Sequence, residues 1–332
     1  MVIKSKFKYR HFKKGIILLI LCFFMVVLVL SPQKYIDSCF KGITLWAVVV
    51  LPSLLPFFFL TALLTSTGVL LKICKPFDKI TKRLFNLNGI SFYCFIMSIL
   101  SGYPVGSKII SELYQNGYIN EGESARMSVL CSTSGPLFTI GAVGIGMFNS
   151  KTCGIIIYFS HVLSAFISAL FFKNYGKKTE NPFKPYANEQ INNVLYNSMY
   201  SSVVSCLIVG GFISVFYVFA EIATNFNLLS FIDIPFSLVL SSVKDGPHIS
   251  SAFIYGLIEC TRGCKNLSLY GANAFTVSLS TALCSFGGIS IIMQSIVFLS
   301  KAKVKSKIFI LQKLLQMLIS FILCFALMLL FH

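Results

Sequence analysis

Four short stretches of this chain hold glycine, proline, hydroxyl or charged residues inside otherwise apolar surroundings. Ser101-Gly102-Tyr103-Pro104-Val105-Gly106 divides the apolar run 89–116, and Lys108 follows two residues later. Ser132-Thr133-Ser134-Gly135-Pro136 interrupts 124–148 with three hydroxyls, a glycine and a proline. Glu259-Cys260-Thr261-Arg262-Gly263 lies in the middle of 247–266. Ser285-Phe286-Gly287-Gly288-Ile289-Ser290, with Gln294 one turn on, interrupts 269–300. Such residues break helices, and a break exposes backbone N–H and C=O groups. A half-helix N-terminus carries partial positive charge and attracts anionic or carbonyl groups. The chemistry implied is the binding of a small solute or ion. Pro136 suits the first position of a second half-helix. The bland reading of Ser132–Ser134 is a proline kink with serines bonded back to their own helix. Glu259 and Arg262 either pair with each other across one turn or contact substrate or a proton. Lys108 either reaches an anion at the glycine-rich tip or snorkels to the interface.

No catalytic group is expected. The four histidines form no cluster, and no Ser/His/Asp order suggests a protease. The 11 cysteines show no CxxC and no zinc spacing, so neither metal nor cofactor is expected. Cys260 and Cys264 share a helix face, which reads as packing. No Walker loop or dinucleotide fingerprint occurs. His161, beside Ser160 and Ser164, reads as a packed, hydrogen-bonded residue rather than a proton relay.

The elements that must hold these stretches follow from composition. Hydrophobic residues make up 56% of the 332 and charged residues 12%, with a mean hydropathy of +0.80. A soluble domain carries about twice that charge; this chain belongs in a bilayer. The net charge of +17 does not indicate nucleic acid, because the lysines and arginines cluster between apolar runs. They fall at 4–14, 72–83, 173–184 and 301–307, as the positive-inside rule expects.

A span needs roughly 20 apolar residues; 15–31, 153–172, 202–224 and 308–331 qualify. The run 39–71 is one crossing kinked near Leu51-Pro52-Ser53. Segments 73–88 and 225–246 are surface helices. Residues 89–116 and 247–266 are too short on either flank to cross and read as re-entrant hairpins. Irregular backbone at that depth must be buried or line a cavity. The expected fold is therefore an all-α polytopic membrane protein, an inverted repeat of two halves, each with a re-entrant hairpin and a broken transmembrane helix. The expected division is 1–38, a basic N-terminus with an uncleaved signal anchor; 39–172, the first repeat; 173–200, a basic cytoplasmic linker; and 201–332, the second repeat. Threading the spans brings every basic cluster to one side, with the N-terminus cytoplasmic. Broken helices in matching positions of inverted halves mark a midplane transport site.

Gly102-Tyr103-Pro104-Val105-Gly106-Ser107-Lys108 and the stretch from Ser134-Gly135-Pro136 to Gly146 resemble the sporulation integral membrane protein YlbJ family. That family lies among membrane proteins with nucleoside-recognition Gate domains. Gly256-Leu257-Ile258-Glu259-Cys260-Thr261-Arg262-Gly263 and Ser285-Phe286-Gly287-Gly288-Ile289-Ser290 resemble its later motifs. Where the family often has His-x-Gln, Ile292 stands at the histidine position and Gln294 remains. The resemblance implies a sporulation role and a transport-like fold, in the cytoplasmic membrane or the membrane around the developing spore. Expected partners are the lipid bilayer, a small solute or ion, and a second copy or other sporulation membrane proteins. The alternative is a non-transporting scaffold for envelope assembly, acting through the linker 173–200 and the helix 73–88.

Overall fold

A computed structural model describes residues 15, 18–66, 73–176 and 191–331. Every regular element among them is helical, because in lipid a backbone must satisfy its own hydrogen bonds. Helix α1 (Leu18–Leu30) stops at Ser31, and the chain turns by 104° into the next helix. Helix α2 (Pro32–Leu45) runs through a π-turn at Trp46–Val50 into α3 (Leu51–Ser66). The kink expected near Leu51-Pro52-Ser53 falls beside this π-turn. After α4 (Asp78–Phe85) comes a hairpin, α5 (Ile90–Ser101) and α6 (Val105–Gln115). A broken helix follows, α7 (Glu121–Leu130) and the π-helical α8 (Leu137–Met147), then the straight α9 (Lys151–Phe171).

The second half repeats this order. A long helix, α10 (Ile191–Asn225), precedes a short one, α11 (Ser230–Val239). The hairpin is α12 (Gly246–Gly256) and α13 (Cys260–Ser268). The broken helix is α14 (Ala274–Phe286) and α15 (Gly288–Lys301), and α16 (Ser306–Phe331) closes the chain. Among the described residues, four helices are long and apolar enough to cross a membrane, or up to six if each of two bent pairs is one span. The protein is thus polytopic.

Equivalent helices of the two halves run antiparallel, as inverted copies require. Along α10, Trp46 Nε1 of the π-turn that continues α2 donates to the Cys206 carbonyl at 3.0 Å, while Tyr35 of α2 packs with Ile222. On α9 and α16, Cys153 clusters with Cys324 and Met328, and Ala169 with Phe309. The second arm of each hairpin packs on the second piece of the other half's broken helix: α6 on α15, and α13 on α8. Close approach rests on small residues; α9 turns Cys153, Gly154, Ser160, Ser164 and Ser168 inward.

Two sequence boundaries shift. The expected division at residue 38 falls inside α2; the break is at Ser31. The expected linker 173–200 is helical from Ile191, where no proline opposes α10; residues 177–190 lie outside the described residues. The basic stretches do gather at one end. Asn86, beside the cluster 72–83, donates to the Lys173 carbonyl at 3.2 Å and to Asn174 at 2.9 Å. Lys303 pairs with Glu121 at 3.0 Å, and Arg126 donates to the Tyr175 carbonyl at 2.8 Å. The N-terminal cluster lies outside the described residues.

Candidate functional site

Each hairpin tip seats on the break of its own half. At the first, Gly102 takes φ 88°, a conformation that suits glycine. A side chain there would meet the Gly135 nitrogen at 2.6 Å, so the two breaks touch backbone to backbone. The Tyr103–Pro104 peptide is cis. Ser98 on α5 bonds Thr133 between hydroxyls at 2.8 Å. Pro136 caps α8, and Thr139 bonds back to the Gly135 carbonyl at 3.0 Å.

At the second tip, Glu259 is extended and caps α13. Its carboxylate accepts from the N–H groups of Thr261 at 3.2 Å and Arg262 at 2.8 Å. Gly287 and Gly288 both have positive φ and end α14. The first N–H groups of α15 then donate to the tip: Ile289 to the Leu257 carbonyl at 2.7 Å and Ser290 to the Ile258 carbonyl at 3.2 Å. This half-helix N-terminus is therefore capped by protein carbonyls. Of the two kinds of group expected at such an end, anionic or carbonyl, the tip supplies carbonyls.

Between the tips, the breaks, the α2–α3 turn and α10 lies a cavity of about 310 Å³. Its polar lining comes from both halves. Ser101, Tyr103 and Ser134 belong to the first, and Glu259, Thr261, Ser290 and Gln294 to the second. Gly102 and Gly135 also line it. Leu54, Phe57, Phe138 and Ile213 form the apolar wall. Gln294 donates to Ser290 at 3.2 Å. Ser101 Oγ is buried with no partner among the described residues. Its apolar walls and few convergent polar groups are those of a small-molecule pocket.

The remaining expected site residues sit behind this lining. Pro104 and Gly106 shape the first turn; Gly106 packs directly on Cys131. Lys108 neither reaches the tip nor snorkels: it is 2% exposed and pairs with Glu112 at 2.7 Å. Ser132 offers its carbonyl rather than its hydroxyl, and Thr133 is held by Ser98. Ser285 bonds His161. Gly287 and Gly288 make the break itself, while Pro136 starts α8. Arg262 does not pair with Glu259, whose carboxylate is taken up by its own helix. It pairs with Glu221 on α10 at 2.9 Å. Both side chains are part-exposed (31% and 24%), so Arg262→Ala should cost under about 1 kcal/mol. A thermal melt in detergent checks this; a loss several times larger would mean that the pair carries the α10–α13 contact.

Two residues outside the expected set organise the centre. His161 is fully buried. Its Nε2 accepts from the Ser134 N–H at 2.7 Å, so Nδ1 carries the proton and donates to Ser285 Oγ at 2.8 Å. One imidazole thus joins the break of one half to the broken helix of the other. Lys313 on α16 is also fully buried, and a lysine inside a helix long and apolar enough to cross a membrane was the signal that could have found it. Cys284 joins Cys260 and Cys264, and all three sulfurs lie within 4.8 Å of one another. They fill the α13–α14 contact and are close enough to share a soft metal ion.

Paired hairpins and paired breaks around one cavity can be set beside known proteins. Residues 47–151, from the π-turn to the start of α9, match the Gate family, described as nucleoside recognition. Over 324 residues the sequence is 26% identical to the sporulation integral membrane protein YlbJ of Bacillus subtilis (strain 168), covering 90% of this chain and 79% of that protein. The chain is similar to YlbJ along most of its length. In three dimensions it is similar to CNTnw, solved in an outward-facing state. That likeness has a TM-score of 0.55 at 14% identity, over 90% of this chain and 84% of CNTnw, and it concerns the fold.

Proposed function

We propose that this protein carries a small, uncharged, hydrogen-bonding solute across the membrane of sporulating cells, without making or breaking a covalent bond. One observation carries the reading: both hairpin tips and both helix breaks contribute polar groups to a single cavity of about 310 Å³. That volume lies at the small end for ligand pockets. Glu259 retains acceptor capacity beyond its two backbone bonds, which favours a solute with O–H or N–H donors. Ser101, Ser134 and Ser290 both donate and accept. Phe57 and Phe138 offer apolar faces for a planar ring. A nucleoside combines these features, and the Gate description names nucleoside recognition. The sporulation setting rests on the relative YlbJ, and the carrier role on the likeness of fold to CNTnw.

The test is uptake of radiolabelled uridine by purified protein in liposomes, with adenosine and ribose as parallel probes. Saturable uptake is expected from the parent protein. It should be lost in a Ser290→Ala/Gln294→Ala double variant that melts like the parent. Folded parent protein that takes up none of the three probes would overturn the reading. So would a double variant that transports at the parental rate. Deleting the gene in its own host should lower spore yield, and normal spores would remove the sporulation part.

A further inference from the structure

Lys313 is 0% exposed, and no carboxylate pairs with it among the described residues. An uncompensated ammonium at membrane depth is costly and is retained where it has a function. Its three protons are all placed. Nζ donates to the Ser132 carbonyl at 3.0 Å, the Tyr103 hydroxyl at 2.7 Å and Gln316 Oε1 at 2.6 Å. What these acceptors belong to is the informative point.

Ser132 lies just past the end of α7, whose last carbonyls have no partner within the helix. Tyr103 accepts from Lys313, so its own proton is free to point elsewhere. It lies 3.2 Å from the Cys284 carbonyl and 3.1 Å from the Ser285 carbonyl. Those two are in the last turn of α14. Helices α7 and α14 are the equivalent first pieces of the two broken helices. The backbone just past the negative end of α7 and the last turn of α14 converge on one ammonium, through the Ser132 carbonyl directly and through the Tyr103 hydroxyl respectively. Helix C-termini favour cations. Unwound carbonyls and half-helix C-termini are the groups that coordinate Na⁺ or H⁺ in transporters with broken helices.

We propose that this convergence is a monovalent-cation site permanently occupied by the tethered ammonium of Lys313. The lysine ties the first hairpin tip to both helix ends, as a coupling ion would. The assembly of these elements then needs no free Na⁺. This goes beyond the solute reading and does not depend on it: Lys313 does not line the cavity, and Tyr103, the one acceptor that does, is held by the ammonium.

The site is tested by thermal melting in detergent, with Na⁺, methylammonium and choline exchanged at constant ionic strength. The parent should melt at the same temperature in all three. Lys313→Ala removes the ammonium and leaves the acceptors. It should melt lower in choline and recover, saturably, with methylammonium or Na⁺. Lys313→Met fills the space with an uncharged chain and should be destabilised without recovery. Two outcomes would overturn the proposal: Lys313→Met melting like the parent, or Lys313→Ala responding no more than the parent does. If neither variant accumulates, the parent decides. An identical melt in Na⁺ and choline supports the tethered cation, and a saturable rise with Na⁺ overturns it. No arm uses a transported solute, so failure of uridine uptake leaves the result readable.

Discussion

Gly106→Val should leave little folded protein in the membrane. Gly106 is the second residue of α6, and its Cα faces the end of α7. A Cβ built there overlaps the Cys131 carbonyl oxygen, and its next neighbours are the Cys131 carbonyl carbon at 2.8 Å and Ser98 Oγ at 2.9 Å. The first two belong to the backbone and cannot swing aside. Relief would require the hairpin to lift off the break, which would also pull Gly102 from Gly135 and separate Ser98 from Thr133. Overpacking costs about 1–3 kcal/mol and sometimes more, against a total stability of about 5–15 kcal/mol. The expected result is a large drop in melting temperature in detergent and a low membrane level. Gly211→Ala is the control. It lies inside α10 with open space around it, and alanine should gain up to about 1 kcal/mol of helix propensity there. If Gly106→Ala melts like the parent, the backbone-on-backbone seating of the first hairpin is wrong.

Glu259→Gln should fold yet bind solute roughly 10- to 100-fold more weakly. Its carboxylate caps α13 and faces the cavity, so the substitution separates the two roles. Glutamine keeps the shape and one acceptor oxygen for the Thr261 or Arg262 N–H, but it loses the charge. A hydrogen bond to a charged group contributes about 1.5–3 kcal/mol, and each ~1.4 kcal/mol is tenfold in affinity. Glu259→Ala should fare worse. Losing an N-cap costs about 0.5–2 kcal/mol, and the two N–H groups would be left unpaired in a buried tip. Uridine binding by calorimetry and thermal melts on both variants check this. Glu259→Gln binding as tightly as the parent would show that the carboxylate serves only the cap.

The polar gaps were legible in the sequence because a backbone break at membrane depth can be made by few residue types. Gly102, Gly135, Pro136, Gly287 and Gly288 stand out against apolar flanks, and each lies at a break. The two-fold recurrence of hairpin and broken helix could be read for the same reason. Pairings between side chains could not. The local spacing of Glu259 and Arg262 suggested a partnership, but the backbone of α13 takes the carboxylate and Glu221 on α10 takes the guanidinium. Lys108 was expected either to reach an anion at the tip or to snorkel, and Glu112 one turn on holds it. Lys313 was hidden differently. It lies in a helix that is still long and apolar enough to cross a membrane, and its acceptors come from residues 181 and 210 positions earlier.

Composition and the spacing of helix breakers thus determined that this chain lives in lipid, is built from helices and repeats one interrupted plan twice. Both follow from local rules: apolar residues leave water, and each backbone group needs a partner. Which polar groups meet at the centre was decided by tertiary packing alone. A hydrogen bond is made within about 3 Å, and that distance is set by how helices far apart in the chain lie against one another.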